Sequence, residues 1–342
     1  MVIGSLLYYI LFIALLLVSL PVYFAIFFLT ALFDRSRVVL HYADRAWSMA
    51  IYAINPLWGV RVTGRENMQR GKTYVVVANH QSLLDIPLLL LSLPLHFKWV
   101  SKREVLRMPV FGAALWMQNN IVIRRGEAAD AKKFLEQGRY WLGRGISVTI
   151  FPEGTRSPDC SIKRFHRGAF YLAEQLQSDI IPVMIHGAGH VLPKDDFMLR
   201  KGQIHIQVMP RITPDDTRFS TAYSPRAKEI RRYYQAEYEK MSREIETPAY
   251  YADLVLKNYI YKGAAIEREV RRNLQKNKYY TAEIAAMPDE GEVTITKTGY
   301  GEYALLLSFV KKDLQITAVE PDPDRLVLAK NGALISDNLR FV

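Results

Sequence analysis

The chain carries Asn79-His80-Gln81-Ser82-Leu83-Leu84-Asp85 directly after an apolar run at 74–78, and Phe151-Pro152-Glu153-Gly154-Thr155-Arg156-Ser157 at the end of a second run at 147–151. Both runs are short and rich in β-branched residues, which is typical of buried strands. Similar runs occur at 59–63, 98–101, 120–124, 180–186 and 203–209. Helical patterns lie between or after them at 129–142, 168–177 and 217–246. This alternation predicts an α/β domain with a central mixed sheet flanked by helices.

The N-terminal residues 6–33 form an apolar stretch without a single charge. That length suits a helix crossing a hydrocarbon core of ~30 Å. The stretch also lacks the basic start of a cleaved signal peptide. Pro21 leaves two arrangements open, a single span or a re-entrant helix pair. Arg35, Arg37 and Arg45 follow the stretch, so the positive-inside rule places the rest of the chain on the cytoplasmic side of the inner membrane.

Charge and pattern divide the chain into three predicted segments: a membrane anchor at 1–34, a main domain at 35–248 and a small module at 249–342. An amphipathic helix at 38–58 opens the main domain. The net charge of +11 belongs wholly to 1–248, because 249–342 holds 13 basic and 13 acidic residues. A basic surface attracts nucleic acid or anionic phospholipid. The apolar N-terminus favours membrane lipids, and we expect no nucleic-acid partner. The single cysteine excludes an intramolecular disulfide.

His80 and Asp85 carry the candidate chemistry. Ser82 suits a helix N-cap, and Asp85 three residues later completes a variant of the capping box. On this interpretation His80 lies in the loop before a helix, and Asp85 points back towards it from the first turn. The carboxylate would then accept a hydrogen bond from one imidazole nitrogen and leave the other as a general base. The alternative is a loop histidine beside a capping aspartate.

With the surrounding motifs, the chain resembles the glycerolipid acyltransferases, the lysophospholipid or 1-acylglycerol-3-phosphate acyltransferase family, over roughly residues 59–210. The resemblance implies His80 as general base and Asp85 as its partner, while the acceptor hydroxyl itself attacks the thioester. The second family motif is similar to Ile121-Val122-Ile123-Arg124-Arg125. There Arg125 matches the arginine that contacts the acceptor phosphate, and Arg124 stands where an acidic residue is common. Lys102 matches a frequent family lysine.

The third family motif is complete at 151–157. The resemblance implies that Glu153, Gly154, Thr155 and Arg156 bind the acceptor, with Glu153 on its hydroxyls. Arg156 can clamp a phosphate in bidentate fashion, which lysine cannot reproduce. The fourth motif, at 181–185, lines the acyl channel or packs in the core. His166, in the stretch 165–169, is interpreted as a surface or phosphate-side residue rather than a second base.

The family implies a membrane-bound O-acyltransferase. It would move an acyl group from acyl-CoA or acyl carrier protein to a lysophospholipid hydroxyl, with 1-acylglycerol-3-phosphate as the leading acceptor and phosphatidic acid as product. Nothing in this chemistry requires a cofactor, and the sequence has no metal-ligand spacing. Two alternatives stay open. One is a lyso-aminolipid acceptor, which Arg124 allows, and the other is a non-catalytic membrane tether that presents the C-terminal module.

The C-terminal module resembles the opening half of a class I S-adenosylmethionine-dependent methyltransferase, a partial Rossmann-like α/β unit. A strand at 292–296 precedes Gly299-Tyr300-Gly301, a helix follows at 303–310, and a second strand at 315–319 ends in Glu320. The resemblance implies that Gly299 and Gly301 admit a cofactor and that Glu320 binds its ribose. Ile295 and Lys297 depart from that pattern, and the chain stops about where a third strand would begin. We therefore expect a degenerate module without S-adenosylmethionine, and a lipid methyltransferase is the remaining alternative.

Overall fold

The computed structural model describes residues 2–55, 57–108, 110–124, 128–197, 199–332 and 334–342. They form two units, Met1–Tyr238 and Glu239–Val342. The strands of the first unit are β1 (Trp58–Thr63), β2 (Val75–Ala78), β3 (Phe97–Lys102), β4 (Ile121–Ile123), β5 (Ser147–Ile150), β6 (Ile180–His186) and β7 (Gly202–Val208). Its helices are α1 (Val2–Thr30), α2 (Val38–Ala53), α3 (Asp85–Ser92), α4 (Phe111–Met117), α5 (Ala128–Leu142), α6 (Gly168–Gln175), α7 (Ala188–Val191) and α8 (Tyr223–Ile245), which extends into the second unit. Short 3₁₀ helices occupy Arg65–Asn67 and Arg103–Arg107.

The first unit is built on one seven-stranded sheet with the order β1-β7-β6-β2-β5-β3-β4. The five strands from β6 to β4 run parallel to one another. β7 is antiparallel to β6 and parallel to β1, so the sheet is mixed. All seven strands predicted from the sequence are present, each within one residue of its expected ends. The predicted mixed sheet flanked by helices is therefore confirmed.

The central strands are buried on both faces. Every residue of β2, β5 and β6 is buried, and these strands consist mainly of Val and Ile. Parallel strands covered by helices on both sides have this continuous apolar pattern, whereas an alternating pattern marks strands with one wet face. The edge strand β1 shows the difference, because most of its side chains are partly or fully exposed. The hydrophobic core therefore lies around the central strands of the sheet, and the polar motifs begin where β2 and β5 end.

Helix α1 is a single helix that continues through Pro21, so the apolar run is not divided into a pair at that proline. Among the described helices it alone is long and apolar enough to cross a membrane, with a mean hydropathy of 2.7 in its most apolar 18-residue window, of which 6% is buried. Helix α2 occupies the predicted position but ends at Ala53, because β1 already begins at Trp58.

The predicted start of the charged helix at 217 is wrong, since α8 begins at Tyr223. Proline is tolerated only in the first turn of a helix, and Pro225 lies there. Upstream, the backbone N–H and the hydroxyl of Ser220 both donate to the Glu229 carboxylate, at 2.6 and 2.7 Å. The segment before the helix is therefore held as a turn.

The second unit contains a three-stranded parallel sheet with the order β10-β9-β8. Its strands are β8 (Glu290–Thr296), β9 (Asp313–Val319) and β10 (Leu339–Phe341). Its helices are α9 (Pro248–Lys257), α10 (Ala264–Lys276), α11 (Thr281–Ala286), α12 (Glu302–Val310) and α13 (Pro323–Lys330), with a 3₁₀ turn at Lys278–Tyr280. The short third strand is present after all. The region 250–280 is not one helical stretch, because it breaks near Gly263, whose φ is +101°.

Candidate active site

The predicted site residues follow the carboxyl ends of neighbouring parallel strands. His80 comes two residues after β2, Glu153 follows β5, and Lys102 is the last residue of β3. Arg124 comes directly after β4. Because the carboxyl ends of parallel strands meet at one edge of a sheet, loops from all four strands converge there, which is where α/β sheets bind their ligands.

His80 and Asp85 form a close polar pair at this edge. The Nδ1 atom of His80 lies 2.7 Å from Oδ2 of Asp85. The same carboxylate oxygen accepts hydrogen bonds from the backbone N–H groups of Gln81 and Ser82, at 2.6 and 2.9 Å. The Asp85 side chain is completely buried, whereas that of His80 is 15% exposed. Since a carboxylate bound by two amides is an acceptor, the arrangement places the ring proton on Nδ1 and leaves Nε2 as the unprotonated nitrogen.

The predicted N-cap at Ser82 is wrong in position. Helix α3 begins at Asp85, and the Ser82 hydroxyl donates instead to the carbonyl of Leu192, at 2.8 Å. The half of the capping box that joins Asp85 to the Ser82 backbone N–H is nevertheless formed. The residues 80–84 therefore stay non-helical, and the imidazole lies next to the first turn of α3.

Glu153 holds the His80 loop from the other side. One carboxylate oxygen accepts the backbone N–H of His80, at 2.9 Å, and the second accepts that of Lys163, also at 2.9 Å. The side chain is 4% exposed, and this burial raises the pKa of its carboxyl group. Each of these oxygens keeps a further lone pair, so the predicted contact of Glu153 with acceptor hydroxyls stays a prediction.

An aromatic array lies against the histidine. The His80 and Phe151 rings are stacked, with centroids 4.0 Å apart and planes 12° apart. Phe151 in turn stacks on Trp99, at 5.5 Å and 16°. Phe151 opens the third motif, so one stretch of sequence supplies both the ring under the imidazole and the carboxylate that holds its backbone.

The rest of the third motif is less enclosed. Gly154 has a φ of +66°, a conformation that favours glycine, and this turn exposes Thr155. The guanidinium of Arg156 lies 3.6 Å from the carboxylate of Asp195, which is 76% exposed. An ion pair this long, with such an exposed partner, contributes little stability.

The structure describes some, but not all, of the other basic side chains that the motifs singled out. Lys102 is half-buried and Arg124 is exposed, both at the strand edge described above. Arg125, which the motif assigned to the acceptor phosphate, lies outside the described residues. His166 is exposed, in keeping with a surface position, and the fourth motif is fully buried in β6.

Several residues that support the site were missed by the sequence. The Asn79 amide bridges to β6, with its nitrogen donating to the carbonyl of Ile185 at 2.8 Å and its oxygen accepting the N–H of Ile185 at 2.7 Å. The buried Tyr234 hydroxyl donates to the Val77 carbonyl and accepts the N–H of Val183 at 2.9 Å. Asn79 could have been found from the sequence, because it lies inside the first motif. Tyr234 lies outside every motif and could not.

The C-terminal residues Gly299, Gly301 and Glu320 do come together at the carboxyl ends of β8 and β9. Glu320 is 7% exposed, and its carboxylate accepts the backbone N–H of Gly299 at 2.6 Å and that of Asp322 at 3.2 Å. Both glycines have positive φ, and so does Lys297, at +56°. The structure thus forms the glycine loop, but it uses the acidic residue to hold that loop closed. Within the described ranges, no group of three or more His, Cys, Asp or Glu side chains is placed to hold a metal ion.

Comparison with known proteins agrees with this geometry. The family model described as Acyltransferase matches residues 59–186. A 1-acyl-sn-glycerol-3-phosphate acyltransferase of Chlamydomonas reinhardtii is 35% identical over 205 residues, which cover 58% of this chain and 61% of that protein. The human 1-acyl-sn-glycerol-3-phosphate acyltransferase alpha is 35% identical over 171 residues, 48% of this chain and 60% of the relative.

Among solved structures, the 1-acyl-sn-glycerophosphate acyltransferase PlsC of Thermotoga maritima superimposes with a TM-score of 0.57 at 22% identity, over 70% of this chain and 95% of that chain. That likeness concerns the fold. The chain spans between about half and about three fifths of the length of the curated relatives it matches. The chain therefore contains an acyltransferase-family domain, which residues 59–186 define.

Proposed function

We propose that this protein transfers an acyl group from acyl-CoA or acyl carrier protein to the hydroxyl of 1-acylglycerol-3-phosphate, which yields phosphatidic acid. The observation that carries this proposal is the pair formed by His80 Nδ1 and Asp85 Oδ2, 2.7 Å apart at the strand edge of an acyltransferase-family domain. The relatives named above are all described as acyltransferases for this acceptor, which supports the choice of substrate.

In the proposed mechanism, Nε2 of His80 removes the proton of the acceptor hydroxyl while the oxygen attacks the thioester carbonyl. The tetrahedral intermediate then breaks its carbon–sulfur bond, and the departing thiolate takes the proton back from the imidazolium. Asp85 accepts the hydrogen bond from the Nδ1–H group throughout and stabilises the positive charge on the ring. General-base catalysis of this kind contributes roughly 10²–10⁴ in rate.

Arg156 is the proposed clamp for the acceptor phosphate, with Lys102, Arg125, Gly154 and Thr155 beside it. The long contact between Arg156 and the exposed Asp195 is easily exchanged for a phosphate, which a guanidinium binds in bidentate geometry. When its phosphate is bound at this edge, the acceptor molecule is fixed at one end and the acceptor hydroxyl is directed towards His80.

The proposed location is the cytoplasmic leaflet of the inner membrane. Helix α1 contacts its own domain near both ends: the Ser5 hydroxyl accepts the N–H of Leu199 at 3.1 Å, and the Phe27 ring lies 5.5 Å from that of Trp116. These contacts are 22 residues apart, roughly 33 Å along a helix. A helix held against the domain over that length lies in the interface of one leaflet more readily than across the bilayer. The arginines after α1 favour an anionic leaflet.

The test is acyl transfer by the detergent-solubilised full chain, with labelled acyl-CoA and acyl carrier protein as donors and a panel of lysolipids as acceptors. We expect phosphatidic acid from lysophosphatidic acid, and a loss of about 10²–10⁴ in kcat in His80→Ala. The matched control is His166→Ala, which removes an exposed histidine of the same unit. If only a lyso-aminolipid gave product, the proposed acceptor would be wrong and the proposed mechanism would stand. If the folded protein acylates no acceptor, the non-catalytic membrane tether is the remaining hypothesis.

A further inference from the structure

A second apolar surface lies beside α1, on the 3₁₀ helix Arg103–Arg107 and helix α4. Three large apolar side chains of this segment are exposed: Met108 at 48%, Phe111 at 45% and Trp116 at 64%. A single exposed apolar residue needs no explanation, but three large ones within 108–116, beside the exposed apolar helix α1, indicate an interaction site. We call the residues 103–117 the α4 segment.

The α4 segment is continuous with the apolar length of α1. The Trp116 ring lies 5.5 Å from the Phe27 ring, and Met117 is buried in one cluster with Phe27 and Leu40. Just after the segment, the Gln118 amide donates to the Tyr23 hydroxyl of α1, at 2.9 Å. Trp116, which is 64% exposed, therefore lies directly beside this end of α1.

Basic side chains border the apolar ones. Arg103 and Arg107 are both exposed on the 3₁₀ helix that precedes Met108. Cationic side chains beside exposed Trp, Phe and Met are the pattern of segments that lie in the headgroup region of an anionic bilayer. Tryptophan in particular is enriched at that depth.

We propose that the α4 segment is a second membrane contact, which inserts Met108, Phe111 and Trp116 into the same leaflet as α1 while Arg103 and Arg107 bind lipid phosphates. The proposal rests on the membrane attachment of α1 proposed above, since the two surfaces are continuous. One helix alone leaves a domain free to rotate about the helix axis, whereas two contacts fix its orientation. Because the segment follows directly from Lys102 at the end of β3, this orientation presents the strand edge to the bilayer, where lysolipids reside.

The experiment uses the full-length Cys160→Ser protein, which has no other cysteine, and places one environment-sensitive nitrobenzoxadiazole probe at a time. Phe111→Cys tests the α4 segment, Leu17→Cys reports α1, and Glu136→Cys on the exposed side of α5 is the matched control. Each labelled protein is mixed with phosphatidylcholine vesicles that contain phosphatidylglycerol and spin-labelled lipids. We expect a blue-shifted emission and quenching at positions 111 and 17, and neither at 136.

Two outcomes would contradict the proposal in distinguishable ways. If the probe at position 17 is quenched but the probe at position 111 gives the same signal as the control at 136, the second contact is overturned. The membrane attachment of α1 is then kept. Absence of quenching at both 17 and 111 would remove the attachment itself. A second measurement does not depend on the probe: the double variant Met108→Ser/Phe111→Ser should bind these vesicles about tenfold more weakly or worse, while its melting temperature stays close to that of the parent protein. Unchanged vesicle binding would overturn the proposal.

Discussion

The imidazole of His80 lies parallel to the phenyl ring of Phe151, with 4.0 Å between the centroids and 12° between the planes. In the proposed mechanism this imidazole becomes positively charged as the acceptor hydroxyl is deprotonated. A cation over an aromatic face is stabilised by about 0.5–2 kcal/mol, depending on how far water is excluded. Phe151 would thus favour the charged state of the base without touching the substrate.

We therefore expect Phe151→Leu to lower kcat by roughly threefold to thirtyfold, because each 1.4 kcal/mol corresponds to a factor of ten. Phe151→Tyr keeps the aromatic face and should retain most of the rate. The measurement is kcat on lysophosphatidic acid, with melting temperatures to monitor folding. Ring fluorination separates electrostatics from packing, since it weakens the negative face at nearly constant shape. A kcat that is indifferent to fluorinated phenylalanine at 151 would leave Phe151 a packing residue only.

Glu153 gives a second prediction, because its two oxygens hold the backbone N–H groups of His80 and Lys163. In Glu153→Gln one of these donors meets an amide NH₂, and an unsatisfied buried group costs about 1–3 kcal/mol. We expect a lower melting temperature and a lower kcat, with the KM for the acceptor close to that of the parent protein. Glu136→Gln, at an exposed glutamate of α5, is the matched control. A raised acceptor KM at unchanged stability would return Glu153 to the role of substrate ligand that the motif first suggested.

The sheet could be predicted from the sequence because its information is local. Runs such as 180–186 are continuously apolar and β-branched, and strand β6 has those same bounds. The pairing of His80 with Asp85 is also local, since five residues and one turn bring the two together. These features depend on residues that are close in the chain, so the sequence alone contains the patterns that predict them.

What could not be predicted depends on distant partners. The Ser82 hydroxyl donates to the carbonyl of Leu192, 110 residues away, and accepts the N–H of Leu84, which lies before the start of α3 at Asp85. Glu153 reaches the backbone of His80 across 73 residues. The motif placed both residues in the site, but their hydrogen bonds are set by tertiary structure. The same holds for Tyr234, which enters the sheet from α8 without any motif.

The buried His41 on α2 and the half-buried His96 predict acid sensitivity. Burial lowers the pKa of His41 to about 4 and that of His96 to about 3, and the two rings are 4.6 Å apart. A histidine whose folded pKa is depressed stabilises the fold above its unfolded pKa of 6.5, and this stability is lost as the pH falls below that value. Between pH 7 and pH 5 the loss attributable to His41 is about 2 kcal/mol.

Thermal unfolding of the parent protein and of His41→Phe at several pH values tests this prediction. Asp44 lies nearby, and burial raises its pKa to about 7, which acts in the opposite sense, so the informative quantity is the difference between the two proteins. We expect the stability of His41→Phe to fall less steeply between pH 7 and pH 5. Equal slopes for the two proteins would contradict a neutral, buried His41.

The C-terminal unit yields the last prediction, because Glu320 uses its carboxylate to bind the N–H groups of Gly299 and Asp322. Because Ile295 and Lys297 depart from the cofactor-binding pattern, we expect no heat on titration of the full chain with S-adenosylmethionine. Glu320→Ala removes the acceptor of two backbone N–H groups, those of the half-buried Gly299 and the exposed Asp322, and should destabilise this unit by about 1–3 kcal/mol. Glu292→Ala, on the exposed side of β8, should change little. Heat of binding that disappears in Glu320→Ala would instead restore Gly299, Gly301 and Glu320 as a working cofactor site.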